Sequence, residues 1–116
     1  MIKNEAAYQF GEIVLLQFPF TDFKGFKKRP ALVIYDDIGN DIVVCRITSQ
    51  AKESDLDITI EDWSTSALKL PSIVKLHKIA TIQKSLIDRK MGVLSIKDLA
   101  AITARIKSLI TSNNLQ

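Results

Sequence analysis

Three short apolar runs rich in β-branched residues follow one another with no helical periodicity between them: GEIVLLQF at 11–18, PALVIY at 30–35 and IVVCRIT at 42–48. Runs this short and this continuously apolar fit strands covered on both faces. Pro30 is tolerated as the first residue of its strand, where no ladder N–H is needed. The segment DDIGND between the second and third runs is turn chemistry, so these strands are expected to form an antiparallel meander.

Further along, DITI at 57–60 reads as a short alternating strand, and EDWSTSA at 61–67 as irregular chain or a single helical turn. SIVKLHKIATIQ at 72–83 returns to β patterning, as one long bent strand or two. Val74, Leu76, Ala80 and Ile82 share one parity and are assigned to the core, which turns Lys75 and His77 together to the other side. After Gly92, Ser95 offers a helix N-cap with Asp98 three residues on. Leu99, Ile102, Ile106, Leu109 and Ile110 then repeat at helical spacing, a stripe suited to covering the core. Five or six short strands with a terminal helix predict an α+β, mostly β domain: a small, strongly curved antiparallel barrel closed by a C-terminal helix. A length of 116 residues fits one domain over 1–116.

One cysteine, Cys45, excludes an internal disulfide framework. With one histidine besides, a Cys/His zinc site cannot be assembled, and the carboxylates show no ligand-like spacing; neither a metal nor a cofactor is expected. The N-terminal segment carries charges and no apolar core of a secretion signal, and no apolar stretch is long enough to span a bilayer, so a soluble, cytoplasmic protein is expected. The net charge of +3 leans only mildly toward anionic partners.

The loop FPFTDFKGFKKRP between the first two strands is richer in chemistry than a hairpin requires. Lys24, Lys27 and Lys28 give it a cationic rim, while Phe23 and Phe26 either stack on bases or plug the open end of the barrel. The loop ends at Arg29. With a four-residue turn that sets Asp36 against Asp41, Arg29 faces Thr48; with Gly39-Asn40 as a two-residue turn it faces Gln50 and has Thr48 as diagonal neighbour. Either register joins the guanidinium to the hydroxyl, and Arg46 shares the parity of Thr48. Forked donors plus a short hydroxyl suit a phosphate. His77, the one imidazole, shares a face with Lys75 and is a candidate proton carrier or an exposed bystander. Cys45 has core parity, and Trp63 is either a binding platform or a cover over an apolar edge.

GEIVLLQFPFTDFKGFKKRPALVI, then VVCRITSQ, LPSIVKLHKIATI and MGVLSIKDLAAI, taken in that order along most of the chain, resemble the PemK/MazF family of toxin–antitoxin ribonucleases. The resemblance implies a homodimeric SH3-like barrel, shared with the gyrase poison CcdB. It also implies metal-independent cleavage of single-stranded RNA to a 2′,3′-cyclic phosphate and a 5′-hydroxyl, blocked by a cognate antitoxin protein. The family's RP arginine falls on Arg29 and its ITS threonine on Thr48. Relatives often carry an acid where this chain has His77, and some an arginine where it has Lys75, which puts His77 forward for proton transfer here. Arg29, Thr48 and His77 are therefore the expected catalytic set, with Lys24, Lys27, Lys28, Arg46 and Lys75 on RNA. The alternatives are a noncatalytic gyrase poison on the same fold, disfavoured by the C-terminus lacking the poison's tryptophan, or a plain RNA- or protein-binding barrel.

Overall fold

The computed structural model describes residues 7–17 and 27–112. Lys24 and the aromatic loop thus lie outside the described residues. Six strands and one helix follow in the order β1 (Glu12–Gln17), β2 (Lys28–Asp36), β3 (Asp41–Thr48), β4 (Asp57–Ile60), β5 (Ser72–Gln83), β6 (Ile87–Val93) and α1 (Ile96–Ser112), with short 3-10 turns at Trp63–Ser66 and Lys84–Leu86. All pairings are antiparallel, and the sheet order is β4-β5-β3-β2-β1-β6. Among the described residues the expected barrel is not closed by hydrogen bonds, because β4 and β6 stand at opposite edges of the order.

The continuous apolar runs have the cause the sequence implied, since each central strand is covered on both faces. Ile13, Leu32, Cys45 and Ile47 point into one cluster, where Ile102 of α1 also packs and Leu99, Ile106 and Leu109 lie against it. Their neighbours Val14, Ala31, Val33 and Val44 point the other way, into a second cluster with Ile42 and Ile82 that Tyr8, Leu86 and Ile87 cover. Both faces of the middle strands are covered at these residues, whereas Tyr35 near the end of β2 is 61% exposed.

The assignment of Val74, Leu76, Ala80 and Ile82 to a single core side needs correction. Cys45 pairs with Ile79 while the next residue, Arg46, pairs with Lys75, so residues 76–78 bulge out of β5 opposite a single β3 step. An odd number of extra residues reverses the faces. Val74 and Leu76 therefore join the helix-side cluster, and Ala80 and Ile82 the other.

The hairpin joining β2 to β3 takes neither expected turn. Asp36 faces Ile42, and β2 then carries one extra residue, Ile34, before Val33 meets Val44 and Ala31 meets Arg46. The bulge offsets the longer turn. Continued by two residues, the Ala31–Arg46 register sets Arg29 opposite Thr48, the pairing counted from the four-residue turn.

Candidate functional site

On β2 and β3 the residues of one parity are Arg29, Ala31, Arg46 and Thr48, and the registers extend their rows across the sheet. Ala31, Arg46, Lys75 and Asp57 form one row over β2, β3, β5 and β4. Thr48 pairs with Ile73 in the next row on that face, about 7 Å away along the strands. Arg29, Arg46 and Thr48, all half-buried, line one cleft of about 380 Å³ at this end of the sheet.

Two further cations line the same cleft: Lys69, from the connection between β4 and β5, and Arg89 of β6. Leu15, Pro30, Leu70 and Met91 supply apolar wall, Ser49 and Gln50 polar wall, and among the described residues no carboxylate lines the cleft. Among the described residues no carboxylate pairs with Arg29, Arg46 or Lys69 either. Thr48 Oγ1 accepts the Gln50 N–H at 3.2 Å, which orients the hydroxyl and leaves its own proton to donate. Four cations, a free hydroxyl donor and apolar walls make a site for an anion that carries an aromatic or aliphatic body.

The structure places the other expected residues differently. Lys27 is exposed just ahead of β2, and Lys28 Nζ lies 3.2 Å from Asp88 Oδ1. Lys75 is not a surface cation. It stands directly across from Asp57 and is buried, with Nζ donating to Asp57 Oδ2 and Glu53 Oε1 at 3.1 Å each. The Asp57 hydrogen bond, reinforced by Glu53, raises its pKa although burial pulls the other way. Lys75 is held by Asp57 of the adjacent strand β4 and by Glu53 of the chain before it, and it is not among the residues lining the cleft. His77 sits in the β5 bulge, with its side chain 36% exposed and Nδ1 3.9 Å from Asp57 Oδ1, outside the cleft lining.

Arg29, Thr48 and Arg46 are thus brought together, while Lys75 and His77 form a neighbouring group around Asp57. Lys69, Arg89 and Asp57 escaped the sequence reading. Arg89 sits within DRK on an edge strand, where a charge run reads as solvated surface, and only the β1 pairing Leu15–Arg89 turns it toward the cleft. Cys45 is buried in the helix-side core, and burial pushes its thiol up to about 11. Trp63 packs half-buried against that core as a cover. Among the described residues no cluster of His, Cys, Asp and Glu stands ready to hold a metal ion, and no helix is long and apolar enough to cross a membrane.

Comparison with solved structures finds the same fold at low sequence identity. A MazE–MazF crystal structure (Form-II) from Deinococcus radiodurans superposes with a TM-score of 0.70 at 20% identity, over 92% of this chain and 98% of that one. The Mycobacterium tuberculosis toxin MazF-mt6 gives 0.69 at 19% identity, over 86% and 96%. An endoribonuclease in complex with its cognate antitoxin, from a mycobacterial species, gives 0.67 at 15% identity, over 84% and 88%. A comparison with curated proteins finds no match to the sequence. The family model for the PemK-like, MazF-like toxin of type II toxin–antitoxin systems matches residues 9–110, and the chain belongs to that family.

Proposed function

We propose that the chain is a metal-independent endoribonuclease toxin that cleaves single-stranded RNA by attack of a 2′-hydroxyl on the adjacent phosphorus. The P–O5′ bond breaks as the new P–O2′ bond forms, leaving a 2′,3′-cyclic phosphate and a 5′-hydroxyl. The observation that carries this reading is that Arg29 and Thr48 line one cleft, whose described lining residues include four cations and no carboxylate. Arg29 offers forked donors to the non-bridging oxygens, on which charge grows in the transition state. The Thr48 hydroxyl adds a short donor that fixes the phosphate, and Arg46, Lys69 and Arg89 hold its neighbours.

The reaction also moves a proton off the 2′-oxygen and delivers one to the departing 5′-oxygen. An arginine side chain keeps its proton in proteins and is poorly suited to either task. His77, on β5 two residues beyond the Lys75 that pairs with Arg46 and outside the cleft lining, is the proton carrier of this proposal and has to approach the substrate when RNA is bound, as catalytic contacts commonly tighten only then. The family and the solved toxin–antitoxin complexes support a protein antitoxin as partner, and a homodimer is the family-level expectation.

The test is cleavage of an unstructured RNA in EDTA. Cutting should persist, should stop when the 2′-hydroxyl at the cut site is replaced by hydrogen, and should fall at least about a hundredfold in Arg29→Ala. Loss of cutting in EDTA, or undiminished cutting of the deoxy-substituted strand, overturns the mechanism.

A further inference from the structure

Asp57 is wholly buried, and its two oxygens are treated unequally. Oδ2 accepts the Glu53 N–H at 2.8 Å, the Ser54 N–H at 3.2 Å and Lys75 Nζ at 3.1 Å. Oδ1 accepts nothing, and it is the one buried side-chain oxygen or nitrogen without a partner among the described residues. A buried carboxylate oxygen left without a donor is unfavourable. The side chain brought to it is His77, Nδ1 at 3.9 Å. That is too long for a hydrogen bond, and shorter than the roughly 4.5 Å that two bonds through one water require. Three contacts fix the carboxylate through Oδ2, so closing the remaining distance falls to the partly exposed imidazole.

Burial raises the Asp57 carboxyl, but the Glu53 N–H and the Lys75 ammonium outweigh it and hold the group below the ordinary carboxylate range. It is therefore an acceptor only, and Oδ1 can be satisfied only by a donor. Lys75 is already served by Oδ2 and Glu53, so the ion pair makes no demand on Oδ1.

We propose that Asp57 is a positioning residue that holds His77 with its proton on Nδ1, so that Nε2 faces outward as a bare acceptor able to take the 2′-hydroxyl proton. A neutral imidazole carries one N–H, and fixing it on Nδ1 frees the other nitrogen. The proton step rests on the ribonuclease reading; the tautomer does not.

The chain has a single histidine, so imidazole-labelled protein gives one unambiguous set of long-range proton–nitrogen correlations. Neutral His77 should show a protonated Nδ1 and a bare Nε2. Asp57→Asn should invert this. The two backbone N–H groups and Lys75 demand an oxygen on their side, so the introduced amide must turn its NH2 toward Nδ1 and drive the ring proton to Nε2, the wrong-tautomer effect. The same variant should lose about tenfold or more in kcat with KM little changed, and adding His77→Ala should cost nothing further.

A wild-type spectrum with the proton on Nε2 overturns the proposal without any variant, should Asp57→Asn not fold. Unaltered kcat in His77→Ala removes the proton step, whereas unaltered kcat in Arg29→Ala points instead at the ribonuclease reading itself.

Discussion

Asp36 shows how one residue is committed by its surroundings. Its carboxylate accepts the N–H groups of Ala7, Tyr8 and Ile38 and lies 2.6 Å from Lys84 Nζ, tying the N-terminal segment and the β2–β3 turn to the end of β5. Burial pushes its pKa up, but the Lys84 and backbone hydrogen bonds prevail and lower it to about 2. A depressed carboxyl stabilises the fold fully above its unfolded pKa of about 4 and loses that contribution as pH falls toward the folded value. Asp36→Asn is therefore predicted to melt well below the parent at pH 7, with the gap narrowing between about pH 4 and pH 2 in thermal melts. The raised thiol of Cys45 predicts the opposite of a nucleophile: no alkylation by iodoacetamide in the folded protein at pH 8, and full alkylation in denaturant.

At the scale of elements, two joints decide whether the sheet keeps its shape. A Cβ on Gly92 of β6 would lie 2.6 Å from the Ser66 carbonyl oxygen and 3.0 Å from Ala67 Cβ, so the edge strand lies flush against the 3-10 turn. Backbone cannot yield there as a side chain can. Gly92→Ala is predicted to cost about 2 kcal/mol in urea unfolding, the usual scale of overpacking. The start of α1 is the second joint. Asp98 N–H donates to Ser95 Oγ at 3.1 Å, the cap read from sequence, but the Asp98 carboxylate takes the N–H groups of Glu61 and Asp62 at 3.0 and 2.9 Å. The acid that looked like half of a capping box instead pins the helix to the end of β4. Asp98→Ala strands two backbone donors and is predicted to destabilise by about 2–4 kcal/mol, more than the roughly 1–2 kcal/mol of Ser95→Ala, which loses the cap and the Ser95 Oγ donation to Asp62 Oδ2 at 2.7 Å.

Over the whole molecule, the four cleft cations predict salt-sensitive binding of a noncleavable deoxy-substituted strand. Log affinity should fall against log salt with a slope of about −3 for four phosphate contacts, and Arg89→Gln should flatten that slope by about 0.7. Most of the architecture was legible before any coordinates. The β-branched runs, the punctuation at 36–41 and the helical stripe after Ser95 are local signals, and they set strand identity, the antiparallel meander and the covering helix. That Arg29 and Thr48 line one cleft is in keeping with the hairpin parity, since the bulge at Ile34 offsets the longer turn. Three things were decided only by the folded chain: the bulge at 76–78, the burial of Lys75 against Asp57 and Glu53, and the arrival of Arg89 at the cleft from the far edge of the order. Each depends on strands distant in sequence meeting in one register. Periodicity reports which side of its own strand a residue occupies, while the neighbour that will cover that side is fixed only when the sheet assembles.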